Sequence, residues 1–443
     1  MSLATPEKIR TLQRKLYCKA KAKPAFRFYV LYDKICREDI LRHAYVLARG
    51  NAGAPGVDGV TFAAIETSGL EAWLEGLRKE LVSRTYRPSP VRRVMIPKPN
   101  GGGERPLGIP TIRDRVVQTA TKLVLEPIFE ADFEDNAYGY RPARGAVDAV
   151  KEVHRHICRG HTDVVDADLS RYFDSIPHSE LMKSVAHRIV DRHVLRLIKL
   201  WLKAPIEERD EGNGTRRRIS GGKSNTRGTP QGGVASPLLA NIYMNRFLKH
   251  WRLTGCGEAF SAHVVAYADD FVILSRGRAA EALAWTKAVV TKLGLTLNEA
   301  KTSLRNARQE RFDFLGYSFG PHRFKANGKW YLSASPSKKS IQRLKMKVRR
   351  LLVPSNNDPW DEVRDTLNRS LLGWSNYFSF GTRSSACRAV DHYVYERVRD
   401  FLARRHKVAG RGTVRFSLEV VHGECGLLRL ERLPRIATPN ASR

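Results

Sequence analysis

The chain has 443 residues, 42% hydrophobic and 28% charged, which excludes a disordered polymer and implies several cores, since domains run to roughly 150 residues. Lys and Arg number 77 against 45 Asp and Glu, a formal net charge of +32, so the expected partner is polyanionic: nucleic acid first, an anionic membrane surface second. No apolar run approaches the roughly 20 residues that span a bilayer, Met1–Pro6 does not open a signal peptide, and the scattered Cys18, Cys36, Cys158, Cys256, Cys387 and Cys425 form no Cys-x-x-Cys pair; the expectation is a cytoplasmic protein with reduced thiols and no membrane partner.

In chain order, Glu7–Leu81 reads as mostly helical, with Ile40, Leu41, Ala44, Tyr45 and Leu47 at helical spacing and a loop at Gly50–Gly56. Val91–Ile109 reads as two β-branched runs flanking a flexible tip at Pro97–Gly103, and Arg113–Phe129 as a helix. Val164–Leu169 is a short strand ending in acids. Ser179–Leu202 is expected to be one amphipathic helix, and Glu207–Arg227 an exposed polar loop or hairpin. His263–Leu274 reads as two strands around a turn at Tyr267–Asp270, followed by a helix over Ala279–Leu293. After about Gly320 a basic helical region follows: Lys338–Arg350 places Lys338, Lys339, Arg343, Lys345, Lys347, Arg349 and Arg350 around an apolar stripe, and further helices are expected over Val363–Phe378 and Ala386–His406.

Two adjacent carboxylates in a tight turn repel each other and call for a compensating cation; Mg2+ with oxygen ligands is the expected one. Tyr267-Ala268-Asp269-Asp270 alone is as readily a solvated turn. Asp168 supplies a second acid at a strand end; if the strands are neighbours, Asp168 and Asp269, with Asp270 assisting, can bridge two metal ions for in-line phosphoryl transfer. The alternative for Asp168 is a helix cap near Arg171.

Further blocks accompany these acids in order: Gly53–Gly59, Ile96-Pro97-Lys98 with Arg105–Pro110, Tyr138–Pro142, Asp168–Asp174, Gly228–Gly233 with Ser236-Pro237-Leu238, Leu297-Asn298 with Lys301-Thr302, and Phe314–Tyr317. The series resembles the reverse transcriptase domain, most closely that of group II intron-encoded proteins. Leu371–Phe378 and Arg404–Lys407 resemble the thumb and maturase domain of the same family. The resemblance implies an α+β fold, a right-hand polymerase with fingers and palm and a C-terminal α-helical thumb/maturase domain, divided as an N-terminal extension 1–90, fingers and palm 91–320, and thumb 321–443. It implies an RNA-directed DNA polymerase that uses Mg2+ and takes deoxynucleoside triphosphates, a DNA primer or target, and group II intron RNA or another structured RNA template.

By the same resemblance Lys98 and Arg105 hold the incoming triphosphate, Phe173 gates against a ribose 2′-hydroxyl, Gln231 contacts the nucleotide and Lys301 protonates departing pyrophosphate. The bland readings are a generic basic hairpin, a core phenylalanine and, for Lys301, a simple salt bridge to the helix end. Trp374, Tyr377, Phe378, Tyr393 and Tyr395 are expected in the core rather than stacked on bases. Family members often carry a C-terminal His-Asn-His endonuclease that is not expected here, which would leave intron mobility to target-primed reverse transcription without second-strand cleavage. The rival functions are an RNA-binding splicing maturase without polymerisation and a stand-alone reverse transcriptase in defence or repair.

Overall fold

The computed structural model describes residues 4–97, 103–209, 216–220, 225–324, 327–408, 410 and 412–434. The N-terminal region is helical over Glu7–Ala22, Tyr32–Ile35, Glu38–Gly50 and Phe62–Val82. Ile40, Leu41, Ala44 and Tyr45 are buried as their spacing predicts. The last of these helices starts where the Thr61 hydroxyl accepts the Ala64 amide at 3.1 Å and breaks at Gly69, whose φ of 101° is not helical.

Eleven strands follow among the described residues: β1 (Val91–Pro97), β2 (Glu104–Ile109), β3 (Asp163–Asp168), β4 (Ile206–Arg209), β5 (Arg216–Ser220), β6 (Ala262–Tyr267), β7 (Asp270–Ser275), β8 (Ser303–Asn306), β9 (Phe312–Phe314), β10 (Tyr317–Arg323) and β11 (Trp330–Pro336). They form three sheets. The first has order β2-β1-β4-β5: β1 and β2 pair antiparallel as expected of the hairpin, whose tip at 98–102 lies outside the described residues, and β4 and β5 of the polar stretch join them through a parallel pairing of β4 with β1. The second has order β6-β7-β3-β8 and is antiparallel throughout. The third has order β11-β10-β9.

Strand alternation divides the second sheet between two cores. Val165, Ala167, Val264, Ala266, Phe271 and Ile273 pack towards the helices Ile112–Glu130 and Ser236–Leu253. Val164, Val265, Val272 and Leu274 pack on the opposite face, in a core shared with the helix Ala146–Cys158, the third sheet and the C-terminal helices Lys338–Leu351, Trp360–Tyr377 and Ser384–Arg405. Trp374 and Phe378 are buried in that core, and the Tyr377 hydroxyl donates to the Leu315 carbonyl at 2.7 Å.

Two expectations are corrected. The single helix over Ser179–Leu202 is two helices, His178–Ala186 and Arg192–Leu202. Between them Phe28 exchanges backbone hydrogen bonds with Arg188 (2.7 Å) and Val190 (2.8 Å), and Asp191 accepts the amides of Leu31, Tyr32, His193 and Val194. The N-terminal segment thus takes the backbone groups that a continuous helix would have used. The region after residue 320 is also not purely helical: it opens on β11, and a boundary at 320 falls within β10.

Candidate active site at a carboxylate turn

Antiparallel pairing sets Asp168 directly opposite Asp270, and Tyr267 opposite Asp270 on the other side, so β3, β6 and β7 converge at one sheet end. Alternation puts Asp166, Asp168 and Asp270 on a single face. Asp269 stands in the two-residue turn between β6 and β7, where Ala268 takes a φ of 58°. That strained turn is propped from outside. Tyr138 donates its amide to the Ala266 carbonyl at 2.8 Å, Ala266 donates to Asn136 at 2.9 Å, and Gly139 lies directly against the turn. A Cβ on Gly139 would clash with the Ala268 amide nitrogen and come within 2.9 Å of the Tyr267 carbonyl carbon.

The acids crowd one another. Burial, then the neighbouring Asp269, Asp168 and Asp166 charges, push the Asp270 carboxyl up to about 6. Burial likewise raises Asp166 to about 6, with Asp168 and Asp313 adding to the shift and Arg305 and Lys339 opposing it. Asp269 is raised by burial and by Asp168, against its own backbone amide and Lys301. The one direct cationic contact at the three predicted carboxylates, among the described residues, is Lys301, whose Nζ lies 2.9 Å from Asp168 Oδ2. Asn298 Nδ2 donates to the same oxygen at 3.1 Å, and its amide to the Asp168 carbonyl at 2.8 Å. Desolvated, mutually repelling oxygens with so little compensation fit a divalent cation.

Comparison with known proteins agrees with this geometry. Residues 96–319 match the model of the reverse transcriptase (RNA-dependent DNA polymerase) family, and residues 341–416 match the group II intron maturase-specific domain. The chain is 35% identical to Protein YkfC of Escherichia coli (strain K12) over 347 residues, covering 70% of this chain and 87% of that protein. The chain belongs to the reverse transcriptase family. The reverse transcriptase is also 36% identical over 231 residues to Group II intron-encoded protein LtrA of Lactococcus lactis subsp. cremoris, covering 50% of this chain and 35% of that protein. It is 25% identical over 402 residues to the Putative COX1/OXI3 intron 1 protein of Saccharomyces cerevisiae, spanning 78% of this chain and 45% of that one. It is an RNA-directed DNA polymerase with a maturase-specific domain, and its family uses divalent metal ions.

In this reverse transcriptase the remaining predicted side chains are distributed around the turn. Lys98 lies outside the described residues. Arg105 is exposed on β2, and its charge acts on the Tyr140 hydroxyl along with that of Asp269. Phe173, only partly buried, meets the Tyr140 ring at 6.5 Å, and Tyr140 in turn meets the Tyr267 ring at 6.4 Å. Gln231 holds the Gly108 amide through its carbonyl at 2.5 Å and lines a cavity of about 300 Å³ with Gly108, Asp174 and Arg227. Gly232, at a φ of 100°, lies so close to the Gly108 carbonyl that a Cβ would clash there. Lys301 is not at a helix end; its partner is Asp168 itself.

The helix Lys338–Leu351 buries Ser340, Leu344 and Val348 and exposes Lys338, Lys339, Lys347, Arg349 and Arg350, with Arg343 also on the exposed side. Lys345 is drawn over the Tyr393 ring at 4.9 Å. Lys339, at the start of that helix, acts electrostatically on Asp166. Sequence reasoning assigned no role to Asp166, Asn298 or Gly139. Asp166 could have been found, because it sits two residues before Asp168 on a strand and therefore on the same face; the other two depend on tertiary approach.

Proposed function

We propose that this chain copies RNA into DNA at the carboxylate turn with Mg2+, and that the same protein grips structured group II intron RNA through its basic C-terminal helices to assist splicing and target-primed retromobility. The observation that carries the reading is the register of Asp168 opposite Asp270 with Asp269 in the adjoining turn, within a chain of the reverse transcriptase family.

Asp168, Asp269 and Asp270 would hold the metal ions, whose chemistry is to lower the pKa of a primer 3′-hydroxyl and neutralise charge on the transferring phosphate. The protein's own groups do the rest. Arg105 and Lys98 hold the triphosphate, the guanidinium as a fork and the ammonium as a point charge. Phe173 fills the space that a ribose 2′-hydroxyl would need, which selects deoxynucleotides. Gln231, beside the close backbone approach of Gly232 to Gly108, contacts the nucleotide. Lys301 is tethered to Asp168 in the free protein, and its ammonium supplies the proton to the leaving pyrophosphate. The exposed cations of Lys338–Leu351, namely Lys338, Lys339, Arg343, Lys347, Arg349 and Arg350 with Lys345 beside them, track RNA phosphates.

The reading is tested by supplying the protein with a DNA primer annealed to an RNA template, the four deoxynucleoside triphosphates and Mg2+, and separately with an unspliced group II intron RNA. Full-length DNA and accelerated intron excision support it. Absence of extension on any RNA template rejects the polymerase assignment, and unchanged excision rejects the maturase part alone.

A further inference from the structure

On the same sheet, away from the carboxylates, three imidazoles converge. His156 belongs to the helix Ala146–Cys158, His161 to the turn that leads into β3, and His263 to β6. One ligand atom from each lies within 4.8 Å of the other two. The His156 and His263 rings are stacked with centroids 3.9 Å apart, and His161 meets His263 edge-on at 4.7 Å. We propose that His156, His161 and His263 form a binding site for Zn2+, separate from the polymerase metals, that fastens the helix Ala146–Cys158 to β6.

The hydrogen bonding around the cluster favours coordination. His156 is only 6% exposed, yet its Nδ1 has no hydrogen-bond partner, a costly arrangement for a buried polar atom unless a ligand takes the lone pair. Its other nitrogen, Nε2, lies 2.9 Å from Glu152 Oε1. That is the carboxylate–histidine arrangement that fixes a metal-binding tautomer, with the proton on Nε2 and the lone pair on Nδ1. His161 is set in a similar way: Nδ1 lies 3.3 Å from the His156 carbonyl, which leaves Nε2 free to ligate. Burial lowers all three below the usual histidine range; at His263 the neighbouring His156 and His161 add to it and bring the ring to about 4, whereas at His156 Glu152 opposes the shift and at His161 Arg276 and Arg159 add to it. The imidazoles are therefore neutral and ligand-competent at neutral pH.

The donor set also selects the ion. Three nitrogens suit Zn2+, whereas Mg2+ demands oxygens. Zinc–nitrogen bonds of about 2.0–2.1 Å place tetrahedral ligands roughly 3.3 Å apart, so small side-chain rotations close the cluster, with water in the fourth position. Arg155, Arg159 and Arg276 lie nearby and oppose a dication, while Glu152 offsets them. The site is four residues along β6 from Tyr267, about 13 Å at roughly 3.3 Å per residue, which makes it structural rather than catalytic. The same helix reaches the third sheet through His154, whose Nε2 lies 3.4 Å from the Leu332 carbonyl. A zinc clamp there would stiffen the join between the catalytic strand and the C-terminal helices.

The test uses the untagged full chain, freed of metal by chelation and titrated with Co2+ as a spectroscopic probe. A saturable visible absorption band that Zn2+ displaces is expected, along with a rise in thermal midpoint on adding Zn2+. His263→Ala removes an exposed side chain without opening the core, and it should abolish both signals, while Asp269→Asn should keep both. No band in the wild-type chain, an undiminished band in His263→Ala, or loss of the band in Asp269→Asn would each overturn the proposal.

Discussion

Replacing Gly139 with alanine perturbs the carboxylate turn without touching an acid. The new methyl group would clash with the Ala268 amide nitrogen and sit 2.9 Å from the Tyr267 carbonyl carbon and 3.1 Å from the Ala268 Cα, whereas ordinary contact begins at 3.4 Å. Every one of these neighbours is backbone, so the turn itself must yield, by roughly half an ångström to one ångström. Asp269 and Asp270 move with it. A misplacement of about 1 Å can cost roughly a hundredfold in rate, equivalent to about 2.7 kcal/mol of transition-state stabilisation. Single-turnover addition of one deoxynucleotide to a primer on an RNA template measures the effect, with RNA affinity measured in parallel. The expected result is a rate down roughly a hundredfold with affinity nearly unchanged. Gly76→Ala is the control, because a Cβ there meets nothing within 4 Å. A Gly139→Ala rate within threefold of wild type would refute the claim that Gly139 positions the turn.

Four other outcomes are expected. Burial and neighbouring carboxylates push Asp270 and Asp166 up to about 6, so the polymerisation rate should fall as pH drops through 6, when protonation competes with the metal. In chelator the sign reverses for stability: acids raised above their unfolded values make the folded state the stronger proton binder, so the metal-free protein should gain thermal stability as pH falls from about 7 towards 4. Arg188 is buried, donates to the carbonyls of Ala20, Lys23, Pro24 and Phe26 and pairs with Asp132 at 2.9 Å. Arg188→Ala should therefore cost about 3–5 kcal/mol in denaturant unfolding, and a loss under 1 kcal/mol would count against that network. Neutralising Lys339, Lys347, Arg349 and Arg350 together should lower the slope of log affinity against log salt for RNA by roughly 3; an unchanged slope would place the RNA elsewhere.

Much of this was readable from the chain. The acidic ends of two strand-like runs announced a carboxylate centre, and the alternation of Val164–Asp168 was enough to put Asp166 beside Asp168. What the residues could not reveal were contacts made across long separations. The helix break at 187–191 exists because Leu31 and Tyr32 donate to Asp191. Nothing local forbids the helix to continue. Gly139 matters through a turn about 130 residues away, and its φ is unremarkable. The parallel pairing of β4 with β1 turned a polar stretch into a sheet edge. The histidine cluster escaped because metal-ligating spacing was sought among cysteines, while His263 joins His156 and His161 only through the pairing of the helix with β6.

The central claim is that Asp168, Asp269 and Asp270 carry the polymerase chemistry. It is tested most directly by extending a DNA primer on an RNA template with wild type and Asp269→Ala at equal RNA occupancy. Loss of extension in the variant, with RNA binding retained, is the predicted result; extension by Asp269→Ala at the wild-type rate would contradict it.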